Sequence, residues 1–451
     1  MYTIKNKTVY FLVGLMVLLL PACKKWVDAP APLQISESTL FSTEQGFTDA
    51  MNGVYLQMGS RNLYGRDLSF GLLSVMGRGY DTTISAAIGN LYYQGIQYNF
   101  QDATVKAMMK SMWDEMYYSI GNLNNILANI DTHKNVFAGN DYQTTKAEAL
   151  GLRAYLHFEL VRLFAPSPEA GGLTLQALPY VTALSPYATP SITTGAFLDS
   201  CIADLLAAKT LFNNADAAST SRFNNYALKG LLARIYLYKG DLTNAQAYAT
   251  DVISSNKFPL AVNNTDLMFV KEHLLSLYSY ANNSAVYYKS VLNTTPALGF
   301  TAINQTALFV TGSGTTNDWR KAFNDPVTLS TIGNTISPRK FYSNNANIIP
   351  LIRATEMYYI AAECAISNND LTTATALLDT VRVHRNVPKY TLPALSSDSL
   401  KIELSKEYQK EFLGEGQLFY YYKRKNLPFT ALPYTKIAVV PNAAYVFVKP
   451  E

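Results

Sequence analysis

The chain has 451 residues, 49% of them hydrophobic and 16% charged, with a formal net charge of +4. That is enough apolar content for a large core, and the charged share lies below the roughly 25% of average domains. With no basic run to track phosphates, nucleic-acid binding is excluded as a main function. The 32 tyrosines, with abundant Asn, Ser and Thr, fit a wet surface that meets neutral polar ligands, or simply an ordinary extracellular surface.

Lys5 and Lys7 precede an apolar run from Val9 to Leu20, which ends in Leu20-Pro21-Ala22-Cys23. The run is shorter than the roughly 20 residues that span a bilayer and has the layout of a secretory signal. Leu20 three positions before Cys23 resembles a bacterial lipobox, with Pro21 departing from the usual pattern. It implies a signal peptide over 1–22, cleavage after Ala22, and lipidation (diacylglycerol and palmitate-type acylation) at Cys23. Residues 23–38 carry Pro, Ala and Ser without a helical stripe and read as a tether. The remaining body, 39–451, reads as one mainly α-helical domain, with an N-terminal part at about 39–211 and a C-terminal part at about 260–451.

Phe47, Ala50, Met51, Val54, Tyr55 and Met58 predict a first amphipathic helix. Residues 61–100 break that pattern with Gly, Tyr, Asn and Thr and read as a long irregular stretch, a common place for function. Helices resume over 103–130 and 142–164. A Pro- and Gly-rich loop follows, then a helix over 197–211. In 227–253, Leu232, Ala233, Tyr236, Gly240, Asp241 and Ala245 fall on the spacing of a tetratricopeptide helix pair. In 352–386, Met357, Ile360, Ala361, Cys364 and Ala365 form one helical stripe. Leu371, Ala374, Leu378 and Val381 form another beyond the N-cap Asp370. Gly240-Asp241-Leu242 lines up with Asn369-Asp370-Leu371, so the two hairpins read as related, or as unrelated hairpins with shared turn chemistry. Residues 257–349 predict loops and short strands inserted between them. A helical stretch at 400–422 and an irregular tail from 427 complete the chain. Cys201 and Cys364 read as buried thiols, a disulfide between them being the alternative.

Four segments, taken in order, resemble the SusD/RagB family of Bacteroidetes surface nutrient-binding lipoproteins. They are Cys23-Lys24-Lys25-Trp26-Val27-Asp28; Leu152-Arg153-Ala154-Tyr155 through Phe164 with Leu178-Pro179; Asp318-Trp319-Arg320 in place of a D-P-R segment; and Lys410-Glu411-Phe412-Leu413-Gly414-Glu415-Gly416. Tyr421 stands where the family often has an acid. The resemblance implies a tetratricopeptide-like scaffold with a ligand-binding lobe of loops and short strands. It also implies lipid anchoring at the outer membrane, a SusC-like TonB-dependent transporter as partner, a glycan or similar ligand, and no catalysis.

Glycan capture needs aromatic faces flanked by polar groups. The candidates are Tyr80, Asp81, Tyr92 and Tyr93 in the irregular stretch, and Tyr278 and Tyr280 in the later insertion. Ordinary packing is the competing role of each. Arg153, Glu159, Glu411 and Glu415 read as partners in internal ion pairs, Trp113 as core and Trp319 as structural. The four histidines show no metalloprotease spacing, and no nucleophile elbow or P-loop is present. No catalytic residue, metal ligand or cofactor is therefore assigned. The alternatives are a structural or adhesive surface lipoprotein that binds proteins through its repeats, and a glycoside hydrolase.

Overall fold

The computed structural model describes residues 35–213, 219–278, 297–311, 314–315, 317–322, 324–329, 333–338, 340–342, 347–390, 395–434 and 436–450. Cys23 and Tyr280 lie outside them. The body is mainly helical. In chain order the helices are α1 Glu37–Leu40, α2 Glu44–Met58, α3 Leu72–Met76, α4 Thr82–Ile88, α5 Asn90–Ile96, α6 Ala103–Ile130, α7 Asp141–Phe164, α8 Thr194–Phe212, α9 Asn225–Lys239 and α10 Leu242–Ser254. They continue as α11 Ala302–Phe309, α12 Trp319–Ala322, α13 Ala354–Ser367, α14 Leu371–Val383, α15 Ser397–Glu411 and α16 Gln417–Arg424.

The long helices pack in an ordered array: α6 on α7, α7 on α8, α8 on α9, α9 on α10, α10 on α13 and α13 on α14. In α7 the residues from Ala147 to Phe164 are all buried. The two predicted hairpins are α9–α10 and α13–α14, and their turns share one chemistry. Each places a residue with left-handed φ (Gly240 at 91°, Asn369 at 58°) before an aspartate. Asp241 then accepts the Asn244 amide, and Asp370 the Thr373 amide, at 3.0 Å each. These contacts satisfy amides that a helix start leaves unpaired. Cys201 and Cys364 are free and buried, and burial pushes the Cys364 thiol up to about 12.

The strands are short, one pair before the first hairpin and the others between the two. β1 (Gln176–Pro179) pairs with β2 (Ser191–Thr193), and β3 (His273–Tyr278) with β8 (Ile348–Arg353). β4 (Val310–Thr311) pairs with β5 (Gly314–Thr315), and β6 (Asn324–Leu329) with β7 (Gly333–Pro338), all antiparallel.

Two sequence expectations are corrected. Residues 61–100 are not one irregular stretch but a mostly buried run of turns and the short helices α3, α4 and α5. Short helices leave carbonyls unpaired, and buried tyrosines supply the donors. The Tyr80 hydroxyl donates to Phe70 O at 2.9 Å and the Tyr98 hydroxyl to Met76 O at 2.7 Å. The 400–422 stretch is two helices, because Gly414 and Gly416 adopt φ of 74° and 72° between them, a region costly to residues with a side chain.

Candidate ligand-binding cleft

Three elements meet at a surface cleft of about 440 Å³. Pro166, Ser167 and Ala170 come from the loop after α7. Lys423, Asn426, Leu427, Pro428 and Phe429 come from the end of α16 and beyond it, and 443–446 from the tail. A volume of this order suits one or two sugar rings.

The position of α16 is set by buried charge. In the turn before it and in α15, Glu407, Glu411 and Glu415 meet arginines from three other segments. Glu411 accepts Arg353 Nη1 at 2.7 Å, Arg385 Nη2 at 2.8 Å and Arg320 Nη1 at 3.2 Å. Glu415 takes Arg353 Nε at 3.0 Å and Lys340 Nζ at 2.6 Å. Burial alone would raise the Glu411 carboxyl, but Arg385 and Arg353 hold it well below the usual carboxylate range. Glu407 is brought down to about 2 against the same burial, by Arg320 and Lys410. Asp318 and Arg320 join this cluster. Arg153 pairs with Asp204 at 2.7 Å, and Glu159 with Arg162, so the expected internal ion pairs form.

The aromatic wall of the cleft is a stack. Phe429 and Tyr445 lie 4.6 Å apart at 24°, and Tyr98 packs 4.6 Å from Phe429 and 5.6 Å from Tyr445. The Tyr445 hydroxyl donates to Leu427 O at 2.9 Å, which ties the tail to the chain beyond α16. Lys423 is 1% exposed, and its Nζ donates to Leu163 O at 2.9 Å. Burial, with Arg162 nearby, holds its amine well below the usual lysine range. Arg78 lies beside the phenols of Tyr98 and Tyr445.

The residues assigned from sequence divide. Tyr80, Asp81 and Tyr92 are corrected to interior positions, at 0%, 1% and 5% exposure. Asp81 caps α4, accepting the Thr83 amide at 3.0 Å, and also meets Asn304. A side chain that fills the core or caps a helix cannot stack on a sugar. Tyr93 and Tyr278 are open to solvent. Trp113 is partly buried against Phe164 and Tyr117. Lys423, Phe429 and Tyr445 went unassigned because they sit near the end of a helix and in a tail without periodicity. The Pro428-Phe429 pair is their only local signal. Among the described residues no group of His, Cys, Asp or Glu could hold a metal ion, and no helix is long and apolar enough to cross a membrane.

Comparison with known proteins places this architecture. A family model described as starch-binding and associating with the outer membrane matches residues 34–237, and one described as the SusD family matches 242–436. SusD-like protein P2 of Formosa agariphila is 27% identical over 254 residues, which are 56% of this chain and 46% of that protein. The chain thus spans less than half of that relative's length. A SusD-like carbohydrate binding protein from Bacteroides vulgatus superposes with a TM-score of 0.70 at 20% identity, covering 85% of this chain and 83% of that one. A SusD-like protein from Bacteroides fragilis does so with a TM-score of 0.68 at 15% identity, covering 88% and 89%. At these identities the solved structures show a shared fold.

Proposed function

Because the chain belongs to the SusD family of non-catalytic carbohydrate-binding proteins associated with the outer membrane, we propose that it captures a glycan or similar nutrient at the cell surface. It then delivers that nutrient to a SusC-like TonB-dependent transporter. The observation that carries this reading is the succession of two matches to this family along one chain, 34–237 and then 242–436. The helix-hairpin array supports it as a rigid scaffold. The partner transporter docks on that scaffold, and Cys23 carries the lipid anchor, acyl chains beyond the first giving stable attachment.

Ligand contact is assigned to the exposed Tyr93 and Tyr278 and to the cleft, where the half-buried Phe429 is backed by the buried Tyr445. Flat aromatic surface packs on sugar rings, and nearby amides and hydroxyls take the sugar hydroxyls. The buried acids Glu407, Glu411 and Glu415 give no support to a glycosidase reading. Glycoside hydrolysis needs two carboxylates flanking an open bond, whereas Glu407, Glu411 and Glu415 are buried and salt-bridged.

The test is affinity purification from outer membranes, combined with a glycan panel. Co-purification of a large β-barrel transporter, together with glycan retention and no release of reducing ends, is the expected result. Release of reducing ends would make it an enzyme. Retention of protein partners alone would make it an adhesin.

A further inference from the structure

Elsewhere in the described interior, buried arginines and lysines face carboxylates, as Arg66 does Asp67, Arg234 does Glu356 and Lys410 does Glu407. Among the described residues two buried cationic side chains have no carboxylate within 4.0 Å: Lys423, 1% exposed, and Arg78, also 1% exposed. Of the two, Lys423 is at the cleft, and Arg78 does not line it. The Lys423 Nζ meets only the Leu163 carbonyl. Arg78 lies near the Tyr98 and Tyr445 phenols. It spends Nη2 on Ile96 O at 3.0 Å, while Nε and Nη1 have no partner. A buried amine without a carboxylate is driven toward its neutral form, and an anion bound beside it restores the charge, so Lys423 on the lining of a ligand-sized opening marks a place where negative charge is missing. No Asp or Glu lines the cleft, and Glu169, on the same loop, is exposed.

We propose that this cleft binds an acidic sugar, with the carboxylate or sulfate directed to the Lys423 end and the ring against the half-buried Phe429. Asn426 and Ser167, also on its lining, are placed to take ring hydroxyls. This assignment rests on the carbohydrate-binding reading and adds the charge class of the ligand.

The test is calorimetric titration of the full chain with galacturonate and glucuronate oligomers, their neutral galactose and glucose counterparts, a sulfated galactose oligomer and inorganic sulfate. Acidic oligomers are expected to bind about tenfold more tightly than neutral ones, the scale of one hydrogen bond to a charged group. The uronate and sulfated arms tell carboxylate from sulfate ester. Lys423→Met keeps the side-chain length but removes the amine, and Ala444→Trp fills the cleft from an exposed position. Each should abolish the preference, and the second does so without disturbing the core. Equal affinity for acidic and neutral oligomers, or a preference that survives both substitutions, overturns the acidic-sugar assignment while the carbohydrate-binding reading stands. Binding of inorganic sulfate alone, without any oligomer, also overturns it. Failure to bind any oligomer overturns both.

Discussion

At the scale of single residues, burial decides which tyrosines serve the fold and which are free to serve a ligand. Tyr92 is 5% exposed and Tyr93 is 43% exposed, though they are neighbours on α5. Tyr92→Ala should lower stability by about 3–5 kcal/mol, the range for emptying an aromatic core site. Tyr93→Ala should leave the melting curve nearly unchanged and weaken glycan retention. Thermal denaturation and affinity electrophoresis on the two variants check the contrast.

The buried ions make a prediction of the same grain. Glu411→Gln leaves Arg353, Arg385 and Arg320 around an uncharged amide and should cost about 3–5 kcal/mol, as removal of one partner of a buried pair does. Urea denaturation measures it.

Acid should destabilise the protein in two windows. The buried His157 Nε2 accepts the Val181 amide at 3.0 Å, so Nδ1 carries the proton and donates to Arg153 O at 2.9 Å. Burial pushes this imidazole down to about 3 from its ordinary 6.5. Between those values only the unfolded chain takes up the proton, so stability that is full above pH 6.5 falls as pH drops toward 3. His273, pushed down to about 4 by burial and Arg353, adds to that window. Glu407, at about 2 when folded against 4.5 when free, contributes stability that is full above 4.5 and lost toward 2. A melting temperature that falls first below pH 6.5 and more steeply below 4.5 is expected. In His157→Phe the first fall should be shallower.

At the scale of elements, the helices and their turns were legible because they rest on local rules. The 103–130 helix has the predicted bounds, and α9–α10 and α13–α14 repeat one cap. The 61–100 segment was not legible, since a stretch rich in Gly and Tyr reads the same whether its polar groups meet water or carbonyls such as Phe70 O and Met76 O. The cleft was legible only in part. Tyr98 stood in a segment singled out for function, but its partners Phe429 and Tyr445 lie more than three hundred residues away in a tail without pattern. The break between α15 and α16 supplies a test. At Gly416, φ is 72° and an added Cβ would lie 2.2 Å from Leu68 O. Gly416→Ala should therefore destabilise by about 1–3 kcal/mol, whereas Gly53→Ala should stabilise by about 0.5–1 kcal/mol. Gly53 lies within α2 with nothing within 4 Å of its added Cβ. Paired denaturation curves distinguish a backbone requirement from simple tolerance.

At the scale of the whole molecule, the fold and the proposed lipid anchor are separate devices. Among the described residues the core cluster runs from Phe41 to Phe447. Under the proposed lipidation of Cys23, membrane attachment follows from acyl chains, each buried methylene contributing roughly 0.8 kcal/mol. Cys23→Ser should accordingly move the protein from the membrane fraction to the soluble fraction while leaving its melting temperature and its glycan affinity unchanged. Fractionation, mass spectrometry of the amino-terminal peptide and calorimetry on the same preparations check the three parts. A transporter holding the scaffold tightly enough without the lipid would retain the serine variant at the membrane. High salt separates the two outcomes, because a docked interface with a polar rim weakens as ions screen it and an acyl anchor does not.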